Sequence, residues 1–500
     1  MQMTSPSSTM KLPANLWLSA IPRTVKIFGG ALSALFLGLL LIFHGYYNIV
    51  AGAIYLSLFL LIAYWNRPFS LIVVTAYTYL LGDLRRIMDY TGEIPPLDPL
   101  LLVSPLFALL LVLPVLMDLK LRDPVQKAIL GLMTIMILEI FNPIQGPVIV
   151  GIGGAMFYLV PIFWFWLGWR YGSLTLLRRL IFHVMVPLGA IAAIMGIIQT
   201  YVGYLPWQLE WLDKVGSHIH AMHLGNGVLR AVGFSVNGIE FITLLMTSLV
   251  TCVALFFAGK RPYLLLAPPL AFALFLSSSR TSVVFSLFGM AIAWSVKSRN
   301  SKVWVPRLVF ALMIGIGALG FAVTHAAESA DASGAGASNT AAGLSTQHQV
   351  EGLAHPLDAR HSTAGLHSQM FLGGIINGFI SPLGRGIGIT TLAAGKLGNG
   401  DTPAGSSEMD ISDIFTATGV IGGFLYLYIM WLVVKRLLHL VQSAPKELSL
   451  PMAGILAALF GNWLGMGRYG QTTWLWLAIG IICRYGSKTV PLKDTALTEA

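Results

Sequence analysis

The sequence predicts an all-α polytopic membrane protein of about 14 transmembrane helices (12–14), with one long loop between two of them. Only 10% of the 500 residues are charged, and 56% are hydrophobic. A soluble globular domain carries roughly 25% charged residues, so a soluble enzyme and a disordered chain are both excluded. The apolar residues also gather into runs of helical length, and most basic residues lie between those runs.

The apolar runs predict where the helices lie. A helix needs roughly 17–25 mostly apolar residues to span a bilayer, and a helix satisfies its own backbone hydrogen bonds in lipid. Three runs, 68–82, 128–141 and 262–277, are short and count as spans because neighbouring helices can bury them. The predicted spans are 27–44, 48–65, 68–82, 100–118, 128–141, 148–168, 180–204, 235–258, 262–277, 281–296, 304–325, 411–434, 450–466 and 471–485.

The positions of Lys and Arg predict the orientation. With the N-terminus in the cytoplasm, most of the 31 basic residues fall in cytoplasmic loops. This asymmetry follows the positive-inside rule and predicts a multi-pass membrane protein with both termini cytoplasmic. Lys11, Arg23 and Lys26 precede the first apolar run, which predicts an uncleaved signal-anchor. The net charge of +10 therefore reflects topology, and nucleic acid is not an expected partner.

The spans divide the chain into five parts. These are a cytoplasmic tail (1–26), a membrane domain of eleven helices (27–325), a long periplasmic loop (326–410), three further helices (411–485) and a second cytoplasmic tail (486–500). Within the loop, the Ala/Gly/Ser-rich segment 326–349 is predicted to be flexible, and 368–380 is predicted to be helical. No cytoplasmic loop is long enough for a nucleotide-binding domain, which disfavours ATP-driven transport and a soluble nucleotide-sugar donor.

Ionisable side chains inside the apolar runs are candidates for function, because burying a charge in the membrane is costly. Glu139, Glu240, Arg280 and Asp413 all lie at the predicted outer ends of their helices. The predicted bilayer centre carries almost no charge, whereas ion-coupled transporters usually hold such groups there. The candidate site is therefore predicted at the outer face.

Arg230 and Arg280 are the strongest candidates at that face. A guanidinium presents a planar fork of donors that matches phosphate oxygens, and it stays protonated. Two of them at the outer interface can hold a diphosphate headgroup whose lipid tail remains in the bilayer. Alternatively, Arg280 extends to the interface and pairs with Asp413 or Glu240. The sequence leaves both interpretations open.

Four segments around the long loop carry a family resemblance. They are Arg230-Ala-Val-Gly-Phe-Ser-Val-Asn237, Ser277-Ser-Ser-Arg280-Thr, Ser381-Pro-Leu-Gly-Arg-Gly-Ile-Gly388 and Thr418-Gly-Val-Ile-Gly-Gly-Phe-Leu425. In order and topology they resemble motifs of the O-antigen ligase and Wzy-type polymerase superfamily, over roughly residues 135–440. Ligases of that family carry a His-Asn pair eleven residues before the first glycine of the last motif, where this chain has Glu408. An acidic residue there is more similar to the polymerase branch.

The resemblance implies a GT-C-like, metal-independent glycosyltransferase without a cofactor. Its donor is a polyprenyl-diphosphate-linked oligosaccharide at the periplasmic face of the bacterial inner membrane, and its acceptor is a sugar hydroxyl of another lipid-linked repeat unit. Arg280 and Glu408 are the implied catalytic residues, because the guanidinium stabilises the leaving diphosphate and the carboxylate accepts the hydroxyl proton. The implied substrate-binding residues are Arg230, Arg360, Arg385, Asp413, Glu240 and Asn237.

Other functions remain as alternatives. A ligase would move the finished glycan to a different acceptor, and a flippase or transporter would move the lipid-linked sugar without covalent change. His218, His220 and His223 are close in sequence, but no Cys or carboxylate pair reinforces them as zinc ligands, so no metal is expected. Membrane lipid is an expected partner, and a chain-length regulator is a further candidate.

Overall fold

The computed structural model describes residues 47–90, 98–215, 223–225, 228–298, 300–332, 340–354, 364–398, 405–406, 409–465 and 468–487, and they are mostly helical. The helices are α1 (Tyr47–Trp65), α2 (Arg67–Asp89), α3 (Leu100–Met117), α4 (Pro124–Glu139), α5 (Val148–Tyr171), α6 (Leu174–Tyr201), α7 (Pro206–Val215), α8 (Gly238–Phe257), α9 (Ala267–Leu276), α10 (Arg280–Ser295), α11 (Trp304–Ala332), α12 (Ala341–Ala354), α13 (Ala364–Ile380), α14 (Leu392–Leu397), α15 (Asp410–Ser443), α16 (Lys446–Ala458) and α17 (Tyr469–Tyr485). A π-helical turn, Leu180–Met185, lies within α6, and a 3-10 turn, Arg261–Leu266, precedes α9. Two short strands, β1 (His223–Gly225) and β2 (Val228–Leu229), pair antiparallel between α7 and α8.

Seven of the described helices are long and apolar enough to cross a bilayer, namely α1, α3, α5, α6, α8, α11 and α15. This finding supports the predicted class of helical, polytopic membrane proteins. Six other predicted spans coincide with helices that are shorter or carry more charge, namely α2, α4, α9, α10, α16 and α17. The predicted first span, 27–44, lies outside the described residues. The total of 14 spans and the periplasmic position of the long loop stay predictions.

Burial separates the central helices from those that face lipid. In α8, 83% of the apolar stretch is buried inside the protein, whereas no residue of Ser301–Ala318, at the start of α11, is buried. A helix that is apolar all round and enclosed by protein belongs to the core, and an apolar helix without such cover suits contact with lipid. Hence α8 is a central element, and Glu240 lies in its first turn.

Ion pairs tie together the helix ends that the charge pattern assigns to the cytoplasm. Arg436 of α15 pairs with Asp123 before α4 at 2.6 Å. Glu447 of α16 pairs with Arg178 of α6 at 3.4 Å and with Lys260 after α8 at 2.9 Å. The structure therefore groups these ends together, as the sequence predicts for consecutive antiparallel spans. Which side of the membrane they face stays a prediction.

The long loop contains more helix than the sequence predicts. The segment 326–349 was expected to be flexible, but α11 extends to Ala332 and α12 begins at Ala341. The expectation was wrong for these residues: alanine, the commonest residue of the segment, is a strong helix former, and composition alone does not separate such a helix from a linker. Burial of one face of α12 against the membrane domain adds to this preference. The helix predicted over 368–380 is confirmed as part of α13.

Helix α15 is broken at Gly419, where a loop enters it. Gly419 has φ 70° and ψ −172°, which is not helical. In a continuous helix the carbonyls of Thr416 and Ala417 would accept from the N–H groups four residues later. Here they accept from the N–H groups of Arg385 and Gly386, each at 3.1 Å. The glycine-rich turn and the following glycine motif therefore form one interlocked unit.

We expect Gly419→Ala to destabilise the protein by about 2 kcal/mol or more. The backbone at Gly419 has a positive φ, which alanine rarely adopts, and the new Cβ would overlap the carbonyl of Pro382. The measurement is the midpoint of thermal unfolding in detergent. Gly317→Ala in α11 is the matched control, since its Cβ meets no atom within 4 Å, and it should stay within roughly 1 kcal/mol of the wild type. Equal midpoints for both variants would contradict the interlocked unit.

Candidate functional site

Arg280 begins α10, and a strained serine precedes it. Ser278 has φ 59°, in the left-handed region, and its Oγ donates a hydrogen bond to the carbonyl oxygen of Ser345 on α12 (3.3 Å). Such strain costs about 1–3 kcal/mol and persists where the surrounding structure imposes it. The serine-rich motif therefore forms a sharp turn between α9 and α10, and α12 lies across that turn.

The side chain of Arg280 is held by α12. Its Nε and Nη2 donate to the carbonyl oxygen of His348 at 3.2 and 3.0 Å, and Nη2 also lies 3.0 Å from Nε2 of the His348 imidazole. The guanidinium lies so close to Gly352 that a Cβ there would overlap it. Because a guanidinium can only donate, Nε2 of His348 is the acceptor and the ring proton is on Nδ1.

Arg230 follows β2 at the start of a loop that buried side chains hold in place. Oε1 of Gln199, near the end of α6, accepts hydrogen bonds from the N–H groups of Val232 (3.0 Å) and Gly233 (2.8 Å). The Tyr204 hydroxyl donates to the carbonyl oxygen of Arg230 itself. These contacts fix the backbone on both sides of Ala231 and so fix where the Arg230 side chain begins.

Arg86, near the end of α2, holds the same loop from another side. Its side chain is buried, and its Nη2 donates to the carbonyl oxygen of Ser235 at 2.8 Å. It also pairs with Asp83 at 3.1 Å and lies over the ring of Trp211, 5.1 Å from the centroid. A buried charge needs such partners, and here those partners include the backbone that carries Arg230. Arg86 is therefore a support for the site.

Arg230 and Arg280 lie close enough for their charges to repel. Burial lowers the pKa of Arg230, and the neighbouring Arg280 lowers it further. Burial also lowers the pKa of His348 to about 4, and Arg280 and then Arg230 add to this effect, while Glu351 opposes it. Nε of Arg230 is buried without a hydrogen-bond partner among the described residues. Arg230 and Arg280, hereafter the arginine pair, thus form one cationic site with a neutral His348.

Two of the predicted substrate-binding residues lie at the contact between α8 and α17. Asn237 caps α8, because its Oδ1 accepts from the N–H of Glu240 at 2.8 Å. The buried carboxylate of Glu240 accepts from the N–H groups of Val236 (3.2 Å) and Gly470. These bonds join the first turns of α8 and α17. They also exclude the predicted alternative in which Glu240 pairs with Arg280.

Two further predicted residues, Asp413 and Arg385, lie in or beside the first half of α15. Asp413 is buried, and its Oδ2 accepts from the hydroxyl of Ser406 at 2.8 Å. Arg385 lies in the glycine-rich turn, half-buried, with its backbone N–H bonded to α15. Arg360 and Glu408 lie outside the described residues. Of the six predicted site residues that the structure describes, Arg230 and Arg280 lie near each other, and Asn237 bonds Glu240.

Sequence reasoning missed the residues that support the arginine pair. Gln199 and Arg86 act on the backbone of a loop some distance along the chain, and their residue types carry no signal of that role. His348 is not among the predicted site residues, yet it contacts Arg280. His348 and Gly352 are four residues apart, about one helical turn. This spacing could have predicted that the two residues lie on the same face of α12.

Metal ligands do not converge in the described part of the chain, where no group of three or more His, Cys, Asp or Glu side chains is placed to bind an ion. His218, His220, His355 and His361 lie outside the described residues. A metal-independent reaction therefore stays a prediction.

Comparison with known proteins adds no family assignment. No protein-family model matches the chain, and no curated protein is significantly similar to it in sequence. The resemblance to the ligase and polymerase superfamily therefore depends on the four motifs. The arginine pair is therefore the main structural support for a proposed function.

We expect acid to weaken the docking of α12. The docked imidazole of His348 has a pKa of about 4, below that of roughly 6.5 for a free imidazole. The undocked state therefore binds the proton more readily, so docking should be independent of pH above about 7 and weaken as the pH falls from 6.5 towards 4. Protonated Nε2 could no longer accept from Arg280.

Spin labels at Ala354 of α12 and Leu209 of α7 would report this change as a longer distance in acid. Both positions are exposed, and both native cysteines, Cys252 and Cys483, are buried. His348→Gln is the control, because an amide does not titrate and should remove the pH dependence. An unchanged acid response in that variant would contradict the role of His348.

Proposed function

We propose that this protein is a membrane glycosyltransferase that polymerises polyprenyl-diphosphate-linked oligosaccharides at the outer face of the bacterial inner membrane. The feature that carries the proposal is the approach of Arg230, in the loop after β2, to Arg280, the first residue of α10, which is near enough to lower the pKa of Arg230. Two guanidinium groups close together and partly removed from water repel each other, so an anion that binds between them relieves an unfavourable interaction. A lipid diphosphate is such an anion, and it keeps its tail in the bilayer.

The reaction needs a leaving group, a nucleophile and a proton acceptor. The acceptor hydroxyl oxygen attacks the anomeric carbon of the donor, and the bond from that carbon to the diphosphate oxygen breaks. The electron pair leaves with the diphosphate, where the arginine pair stabilises the developing charge. The hydroxyl proton passes to a carboxylate, and Glu408 is the residue predicted to supply it. The products are a longer glycan on one lipid and a free polyprenyl diphosphate.

The surroundings of the arginine pair support a role in binding. Arg230 is held by a loop that Gln199 and Arg86 fix from inside the bundle, so its position costs little to organise when a ligand arrives. Two of the groups that hold Arg280, a carbonyl and an imidazole, are neutral, and a phosphate oxygen can replace them. Arg385 and Arg360 are proposed as further contacts to phosphate or sugar.

A transporter is the second candidate, and the break in α15 is the observation that favours it. Transporters often place their ion or substrate site at discontinuous helices, whose free backbone groups act as ligands. Here, however, the carbonyls of Thr416 and Ala417 at the break accept hydrogen bonds from the loop. The break therefore holds a loop, and the glycosyltransferase remains the better supported proposal. A ligase would use the same arginine pair with another acceptor.

Removing either member of the arginine pair should abolish most transfer. We expect Arg280→Ala and Arg230→Ala each to lower the rate by roughly 10²–10³, the usual cost of losing one preorganised charge-stabilising donor. Purified protein with lipid-linked repeat units provides the assay. Arg307→Ala is the matched control, because Arg307 lies over Trp294 at the opposite end of α10, and it should keep wild-type activity. Equal loss in all three variants would point to folding and not to catalysis.

The same assay separates the classes of function. Longer glycans indicate a polymerase, transfer to a different acceptor indicates a ligase, and unchanged lipid-linked sugar favours transport. Only the first outcome agrees with the proposal.

Glu408→Gln should abolish transfer while the protein still inserts and binds the donor, since an amide cannot take up the hydroxyl proton. The measurement compares initial rates with donor affinity in the same membranes. Full activity of this variant would show that Glu408 is not the base.

A further inference from the structure

Gln349 of α12 is fully buried, and both atoms of its side-chain amide lack a hydrogen-bond partner among the described residues. Buried polar atoms are paired in the great majority of cases, and leaving one unpaired is unfavourable. An apolar side chain of similar size would avoid this cost. The presence of an amide here therefore needs a reason outside the resting structure.

The position of Gln349 points to the arginine pair. At 100° per residue, Ser345, His348, Gln349 and Gly352 fall within an arc of roughly 100° on α12. His348 and Gly352 contact Arg280, and Ser345 accepts from Ser278. Gln349 therefore belongs to the face of α12 that covers Arg280, next to the site where a diphosphate would bind.

The chemistry of a primary amide defines the ligand. Its nitrogen donates and its oxygen accepts, so it can bond two neighbouring hydroxyl groups at once. A phosphate offers acceptors only and would leave the amide oxygen unpaired. Neighbouring hydroxyls on a pyranose ring provide both a donor and an acceptor, and the sugar attached to the diphosphate lies one bond beyond the phosphate that the arginine pair would hold.

We propose that Gln349 recognises the hydroxyl groups of the sugar that is linked directly to the lipid diphosphate, and that it thereby helps to determine donor specificity. This inference rests on the proposed function, because it places the diphosphate at the arginine pair. It assigns a binding and specificity role to Gln349, and the bond-breaking step stays with the groups already named.

A stability measurement and a binding measurement together test the inference. Gln349→Met removes the amide and keeps the volume. Relief of two unpaired buried atoms should raise the midpoint of thermal unfolding by roughly 2–4 °C. The same variant should bind a polyprenyl-diphosphate-linked sugar roughly tenfold or more weakly, yet bind sugar-free polyprenyl diphosphate as the wild type does. Gln347→Met, at an exposed position two residues earlier, is the matched control. It should change neither the unfolding midpoint nor the ratio of the affinities for the sugar-bearing and the sugar-free lipid.

The outcomes separate this inference from the proposed function. If Gln349→Met binds the sugar-bearing and sugar-free lipids in the wild-type ratio, Gln349 does not recognise the sugar, even where the wild type makes polymer. If the wild type makes no polymer but the ratio changes in Gln349→Met, the sugar site stands and the polymerase proposal fails. If the wild type binds neither lipid, both are overturned.

Discussion

The structure depends on one constraint: backbone that leaves the helical path among apolar helices must find hydrogen-bond partners, because no water is there to supply them. Buried polar side chains meet this need at three places. Gln199 bonds the loop that carries Arg230, Gln145 bonds the glycine-rich turn at Gly388, and Asp410 bonds the turn before α17 at Gly465. Each of these side chains lies on or beside a helix and satisfies a loop, so the polar residues at this end of the bundle act first as anchors.

That constraint also gives buried acidic side chains a structural role, and one of them, Glu240, was predicted to bind substrate. Asp410 and Glu240 are buried in the first turns of their helices. Asp410 accepts from the N–H of Gly465, shortly before α17, and Glu240 accepts from the N–H of Gly470, in the first turn of α17. A carboxylate used in this way holds two elements together, and losing it would leave buried donors unpaired. An ionisable residue in an apolar helix is therefore important because burying it is costly, but its role can be to hold the structure together and not to act on a substrate.

Hydropathy predicted most of the fold because a bilayer leaves few alternatives to the helix, and apolar runs such as 100–118 and 148–168 coincide closely with α3 and α5. The arginine pair could be proposed from residue chemistry, since few side chains suit a diphosphate. Helix α12 could not be predicted in this way, because its Ala- and Gly-rich sequence is equally compatible with a linker. Its position becomes clear only from the face that packs against the membrane domain. The hydrogen bonds that Oε1 of Gln199 accepts could not be predicted either, since its partners are backbone N–H groups, which every residue type except proline carries.

The site therefore combines a fixed half with an exchangeable half. Arg230 is supported by buried contacts that a ligand cannot reach, whereas Arg280 is held by a carbonyl and an imidazole of α12 that compete for the same donors as a phosphate would. Within the proposed function this competition has a use, because a transferase must also release the diphosphate that it forms. An arginine whose donors are satisfied in the empty site binds the product less tightly than one left bare, since part of the binding free energy replaces contacts that already exist. If the protein is such a transferase, the contacts between α12 and Arg280 would limit its affinity for the product, while the fixed loop would preserve the geometry needed for the next donor.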